Sequence, residues 1–438
     1  MFSGSMKFLV LGIFLVQIAG AHSIADWEHE ENLKEESKKA LLVTAESLVA
    51  AWQPFVDWKD KQGIEVEVIA VETIAKKKEG LDVQEKIRLF VRSRIEEEGV
   101  RWLILGGDSL PDGGGLVPDR DTFHENMWGE ISDIPTDIYY LSATNWDADG
   151  DGIYGEFEDD CEAISYPDGT VGLGRIPVRT AADVQAYVEK IIAHESHYPG
   201  NDFGNAFLYT CTVAGAYPKV RRSWDDSISK VLTDGMVERY FANETPWDDK
   251  EAGDYPLSAS NWVKLFNEGR VGKMHLHGHG ILPGWVMEDN RSLFGFDHVA
   301  QLINENAYPM ITTVSCFTGY YDAQKDPCIV EAMLRKPKAG AIAMVSPCRE
   351  GKPHFLNPEK DFPLMIREGK LDGTTRTMTL FWEAGISQNL TAGEALMLTK
   401  AELAEDAKGS TNSNYHMCLC ELNLLGDPTL LVHQTSED

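Results

Sequence analysis

The sequence predicts an α/β fold made of two parallel-sheet units in series, and three observations carry that prediction. Between residues 40 and 105, apolar runs alternate with helical periodicity in the order strand, helix, strand, helix, strand, the repeat of a parallel sheet with helices on its faces. A second series of apolar runs with helical stretches between them follows the breaker Tyr198-Pro199-Gly200-Asn201-Asp202. With 438 residues and 43% hydrophobic content the chain can bury a large core, and it shows no repeat of solenoid length.

In the first unit, Leu41–Thr44, Ile64–Ile69 and Arg101–Leu105 read as strands, and Leu48–Lys61 and Val83–Glu97 as helices. A Gly/Pro-rich loop, Pro111–Pro118, follows, and a helix over Thr180–Ser196 leads to the breaker. In the second unit strands are expected at Ala206–Val213, Val271–Leu276, Met310–Ser315 and Gly340–Ser346, with helices at Asp225–Phe241, Ser258–Asn267, Phe296–Asn304 and Cys328–Arg335. Lys7, the apolar run Phe8–Ile18 and Ala19-Gly20-Ala21 have the order of a secretory signal peptide. The expected organisation is therefore a signal peptide over 1–21, a polar tail or pro-segment over 22–39, an α/β subdomain over 40–200 and a second over 201–433. The early apolar run is too short to span a bilayer comfortably, so the expectation is a soluble exported protein, extracellular or periplasmic.

A formal charge of −30 argues against nucleic acid or an anionic membrane surface as partners. Seven cysteines, Cys161, Cys211, Cys316, Cys328, Cys348, Cys418 and Cys420, are an odd number for an oxidising compartment, so at least one thiol is expected free. Cys316 is the choice. Cys418 and Cys420 alternate on an expected strand and face opposite ways, which argues against a bridge between them.

Chemistry concentrates in two places. His275-Leu276-His277-Gly278-His279-Gly280 ends one expected strand, and Thr313-Val314-Ser315-Cys316-Phe317-Thr318-Gly319 ends another, with Cys316 following His279 by 37 positions. Neighbouring parallel strands would deliver both to one sheet edge, where open α/β proteins place their sites. A thiol near its free pKa is mostly protonated, so an imidazole beside it is needed to form the thiolate and later to protonate the leaving amine. His275, His277 and His279 also alternate along one expected strand and share a face, as zinc ligands do. From these residues alone, a Cys-His hydrolase and a zinc-dependent hydrolase stand close. The second place is Asp147-Ala148-Asp149-Gly150-Asp151-Gly152 with Glu158 after five further residues. Carboxylates at Asp147, Asp149, Asp151 and Glu158, the Ile153 carbonyl and the glycine at the sixth position match an oxygen-ligand calcium loop. The flanking residues do not resemble paired helices, so a structural calcium loop between strands is expected.

The chain resembles the gingipain-type cysteine peptidases from about Ala40 to Val432. The resemblance rests on Leu103-Ile104-Leu105-Gly106-Gly107-Asp108, on Ile134–Tyr140 leading to the Asp147 loop, on Val171–Arg179, on His277-Gly278-His279-Gly280, on Ser315-Cys316 with Gly319 and Asp322, and on Leu425-Gly426-Asp427-Pro428-Thr429. It implies a caspase-like parallel-sheet catalytic domain preceded by a smaller α/β subdomain, and a cysteine endopeptidase acting on protein or peptide substrates with no organic cofactor. Residue by residue, it makes His279 and Cys316 the catalytic dyad and the N–H groups of Gly280 and Cys316 the oxyanion hole. Gly280 and the Ser-Cys-x-x-Gly turn suit an oxyanion site and have no evident task in a zinc site. Asp225 matches an aspartate that in this family starts a helix and lies near the histidine or at the base of the specificity pocket, where it would pair with Arg or Lys of a substrate; an ordinary helix N-cap is the equal alternative. Pro347-Cys348-Arg349-Glu350 matches another pocket wall, where Arg349 would oppose a cationic substrate. It lacks the aromatic residues of the arginine-specific members, and neither an immunoglobulin-like module nor a C-terminal secretion domain is expected after the catalytic unit. An inactive caspase-like binding protein is the non-enzyme alternative, although both dyad positions are filled.

Overall fold

The chain builds one wide sheet whose two halves run in opposite directions. The computed structural model describes residues 38–433, apart from 112–113, 126–130, 157–159, 161–163, 198–205, 212–236, 242–254, 288–290, 324–326, 352–372 and 407–412. The signal peptide and most of the polar tail therefore lie outside the described residues. Eleven strands form the main sheet: β1 (Lys39–Thr44), β2 (Glu65–Ala70), β3 (Trp102–Gly106), β4 (Gly172–Arg175), β5 (Phe207–Cys211), β6 (Val237–Phe241), β7 (Tyr255–Pro256), β8 (Lys273–His277), β9 (Met310–Thr313), β10 (Ala343–Pro347) and β11 (Leu422–Gly426). Their spatial order is β7-β6-β5-β8-β9-β10-β11-β4-β3-β1-β2. All neighbours pair in parallel except β10 and β11. The last strand thus continues the N-terminal half and turns the sheet at β10, so one sheet crosses the expected division at residue 200.

Parallel strands covered on both faces must be apolar throughout, and Leu41, Leu42, Val43, Leu103, Ile104 and Leu105 are fully buried. The helix Val83–Glu98 starts where Asp82 accepts from the Glu85 N–H at 2.7 Å and stops at Gly99, whose φ of 68° suits glycine. The long helix Ala181–His197 buries Val184, Tyr187, Val188 and Ile191. It also buries Lys190, whose Nζ donates to the carbonyls of Met333, Ala339 and Ala341 at 3.1, 3.2 and 2.9 Å.

Arg175, at the end of β4, anchors the middle of the sheet. Its Nε and Nη2 grip Asp137 at 2.8 and 2.6 Å, while Nη1 donates to the carbonyls of Gly107 and Val117 at 2.8 and 2.7 Å. A fully buried guanidinium needs such a complete set of partners, and the Pro118 carbonyl takes the remaining donor at 3.3 Å. Its plane also meets the Tyr321 ring at 5.0 Å, which couples the N-terminal half to the turn that carries Cys316.

Three expectations are corrected. Val237–Phe241 is a strand paired with β5, not the end of a helix. Cys418 and Cys420 lie on the helix Ser413–Glu421, both buried, and not on a strand. The helix starting at Phe296 ends at Val299, five residues before Asn304. All five cysteines with described side chains, Cys316, Cys328, Cys348, Cys418 and Cys420, are free. Cys316 is thus not singled out by lack of a bridge; what sets it apart among them is that it alone reaches the surface.

Candidate active site

Strands β8 and β9 are neighbours in register, Lys273 beside Met310 through Leu276 beside Thr313. The Val314 N–H extends the pairing to the Leu276 carbonyl at 3.2 Å. Both strands therefore release the chain at the same edge, and the two motifs follow immediately. After His277 the chain enters a three-stranded antiparallel meander, His279–Ile281, Gly284–Val286 and Ser292–Gly295. His279 and Ile281 are exposed, while Gly280 between them is buried.

Gly280 is buried against the Cys316 turn itself. A Cβ at this position would lie 2.5 Å from the Cys316 carbonyl oxygen, 2.7 Å from Thr318 Cγ2 and 2.8 Å from Ser315 Cβ. Only glycine permits this approach. It places the histidine motif directly on the cysteine turn.

The turn is held from several sides. Thr313 Oγ1 accepts from the Ser315 N–H at 3.1 Å and from Trp285 Nε1 at 3.2 Å, and donates to Ser315 Oγ at 2.9 Å. Thr318 Oγ1 donates to the Ser315 carbonyl at 2.7 Å and lies 2.8 Å from Ser346 Oγ. The N–H groups of Phe317 and Gly319 donate to the carbonyls of Arg349 and Pro347 at 2.7 and 2.9 Å. Phe317 takes a φ of 57°, a left-handed conformation that a residue with a bulky side chain holds only when its surroundings impose it.

Burial pushes the Cys316 thiol up to about 11, and the Glu421 carboxylate and, less strongly, that of Glu350 push the same way. The Gly351 N–H opposes them by favouring the thiolate. The thiol is accordingly protonated at neutral pH, and attack requires a base to take its proton. Gly351 was not singled out from the sequence. Its signal is steric: a Cβ there would sit 2.4 Å from the Val314 carbonyl oxygen.

The three histidines do not share one strand, which corrects the zinc expectation. β8 ends at His277, and His279 opens the separate meander. His275 is buried, with Nδ1 2.7 Å from Thr312 Oγ1 and its ring stacked on Tyr209 at 5.9 Å. Burial lowers it well below the ordinary histidine range, and burial together with His279 lowers His277 to about 4. Among the described residues, the group of His, Cys, Asp and Glu side chains close enough to hold a metal ion is instead Asp147, Asp149 and Asp151, with ligand atoms within 4.8 Å of one another.

In that loop Asp147 is buried and Asp149 and Asp151 are exposed. Asp147 Oδ1 accepts from the Gly150 N–H at 2.8 Å, Asp149 from Asp151 at 3.1 Å and Asp151 from Ile153 at 2.7 Å. Gly150 and Gly152 have φ of 80° and 87°, so the sequence folds into a tight turn of converging oxygens, a donor set that suits a hard cation. Asp160 closes the loop by accepting from the N–H groups of Ala148 at 2.5 Å and Gly155 at 2.9 Å. Glu158 and Asp225 lie outside the described residues. Arg349 does not stand free as a pocket wall: its guanidinium is paired to Asp322 at 2.9 and 2.8 Å.

Comparison with known proteins fits this geometry. The description of peptidase family C25 matches residues 33–433. The chain belongs to that family. Gingipain R2 of Porphyromonas gingivalis is 23% identical over 311 residues, which cover 70% of this chain and 36% of that protein. Gingipain R1 of the same organism shows the same identity with 26% of its length covered. The chain thus spans about a third or less of the curated relatives it matches. The crystal structure of the Arg-specific cysteine proteinase gingipain R superposes with a TM-score of 0.63 at 20% identity, over 91% of this chain and 79% of that one. A complex of its pro- and mature domains gives 0.61 at 18% identity, over 90% and 79%. The fold is therefore the caspase-like α/β fold expected from the sequence.

The protonated resting thiol yields a prediction. With iodoacetamide in fixed excess, the alkylation rate of Cys316 should keep rising, about tenfold per pH unit, from pH 7 to pH 10, with Cys316→Ala as the background. A plateau reached below pH 9 would show a thiolate already formed.

Proposed function

We propose that this chain is an exported cysteine endopeptidase that hydrolyses peptide bonds in protein or peptide substrates, with His279 and Cys316 as its dyad and calcium as a structural ion. The observation that carries the reading is the packing of Gly280 on the Cys316 turn, which gives the two motifs one shared surface. His279 accepts the thiol proton as Cys316 Sγ attacks the scissile carbonyl carbon. The N–H groups of Gly280 and Cys316 stabilise the oxyanion, an effect worth about 10²–10³ in rate per donor in comparable sites. Collapse of the tetrahedral species expels the amine, which takes the proton from His279 and leaves a thioester on Cys316. Water, deprotonated by His279, then hydrolyses the thioester and restores the thiol. Export rests on the order of charged, apolar and small residues at 1–21. No helix among the described residues is long and apolar enough to cross a membrane.

Calcium is assigned to the Asp147 loop by its converging carboxylates and its glycine turns. The ion would be held by Asp147, Asp149, Asp151, the Ile153 carbonyl and Glu158, and would neutralise a loop that otherwise repels itself. It takes no part in the bond-breaking steps.

Two experiments test these assignments. Assayed on mixed peptides, Cys316→Ala and His279→Ala should each lose about 10⁴-fold or more in kcat, and a zinc-selective chelator should leave the wild type unchanged. Activity that survives Cys316→Ala but is abolished by the chelator would return the zinc reading. Calcium at about 100 times its Kd should stabilise the wild type by about 2.7 kcal/mol, read as a rise in Tm, and Asp149→Ala should abolish most of that rise. An equal Tm with and without calcium in the wild type would remove the ion from the account.

A further inference from the structure

The pairing of Arg349 reaches further than its loss as a pocket wall. Arg349 leaves β10 two residues after Pro347, and its side chain touches three segments at once. Nη1 and Nη2 form a two-pronged contact with Asp322 at 2.9 and 2.8 Å, Nε donates to the Asp133 carbonyl at 2.7 Å, and Nη1 also reaches the Cys348 carbonyl at 3.1 Å. The guanidinium plane lies 4.3 Å from the centre of the Tyr320 ring. Both side chains are almost out of water, Arg349 at 11% and Asp322 at 3% exposure. Asp322 and Tyr320 belong to the turn that begins at Cys316, and the Arg349 carbonyl accepts the Phe317 N–H at 2.7 Å. The same residue therefore holds the turn at its start by backbone and at its end by side chain. The backbone hold falls on Phe317 itself, which has a left-handed φ of 57°.

We infer that Arg349 and Asp322 form a strap that fixes the nucleophile turn in its reactive conformation, so that Arg349 is a positioning residue acting through Asp322. The inference deepens the cysteine-peptidase reading and rests on it for the role of Cys316. Because the buried carboxylate neutralises the guanidinium, the strap presents no net charge to a substrate. A lysine cannot replace the two-pronged contact, since an ammonium is a point charge without the fork geometry. Loss of either partner leaves the other buried and unpaired, and the turn loses its hold at the end distant from Cys316.

The test uses the full chain with Arg349→Gln, Asp322→Asn, the double variant and Arg349→Lys. Each is measured for kcat and KM on mixed peptides, for the rate of Cys316 alkylation by iodoacetamide at pH 7.5, and for Tm. Both single variants should lower kcat about 10- to 100-fold with KM within about twofold, while Cys316 alkylates several-fold faster because the relaxed turn exposes it. The double variant should be no worse than the weaker single, the signature of one shared interaction, and Arg349→Lys should restore only part of the rate. Unchanged kcat with a shifted KM or residue preference would overturn the strap and place Arg349 against the substrate. Losses that multiply in the double variant, or that follow Tm with unaltered alkylation, would overturn it too. If the wild type cleaves no peptide or Cys316→Ala keeps its turnover, the peptidase reading fails, and the alkylation rates alone still decide the strap.

Discussion

The close approach of Gly280 to the Ser315–Cys316 backbone is the constraint on which the site depends. Two parallel strands in register can bring two motifs to one edge, but side chains at the crossing would hold them apart. With hydrogen in place of Cβ, the meander that begins at His279 settles onto the cysteine turn, within 2.5 Å of where a Cβ would stand. Close packing and the parallel register of the two strands thus meet at one residue.

Charge buried at two depths supports that arrangement. Arg175 spends all its donors on Asp137 and on the carbonyls of Gly107, Val117 and Pro118 inside the N-terminal half, then meets Tyr321 of the Cys316 turn. Arg349 holds the same turn from the β10 side. The turn is gripped between the two oppositely directed halves of the sheet, which explains why a strained conformation at Phe317 persists. Burial has a chemical consequence as well. It raises the Cys316 thiol, so a thiolate there would need a base and donors such as the Gly351 N–H rather than standing ready at neutral pH.

What could be read from the sequence divides along physical lines. That the His279-Gly280 and Ser315-Cys316 motifs meet at one sheet edge was legible because each directly follows a strand of the same parallel series. The strands β1 and β3 were legible because burial on both faces demands near-continuous apolar runs. Cys418 and Cys420 misled because residues 415–421 of the helix Ser413–Glu421 are all buried and that helix runs directly into β11, so its buried positions imitate a strand. Val237–Phe241 alternates weakly and follows a helix-like stretch, and only its pairing with β5 decides its state. Arg349 read as a free charge because its partner Asp322 lies 27 positions earlier, and no local pattern reports a contact at that separation. The reversal of direction at β10 and β11 is likewise a property of the assembled sheet and not of any segment.

The central claim is that Cys316 carries the acyl group during turnover. Rapid acid quench of the enzyme with a slowly deacylating peptide ester, followed by intact-mass measurement, tests it most directly. The account predicts a species heavier by one acyl group, localised to Cys316, formed far more slowly in His279→Ala and absent in Cys316→Ala. Turnover of the same ester by Cys316→Ala at the wild-type rate, with no adduct on either protein, would contradict it.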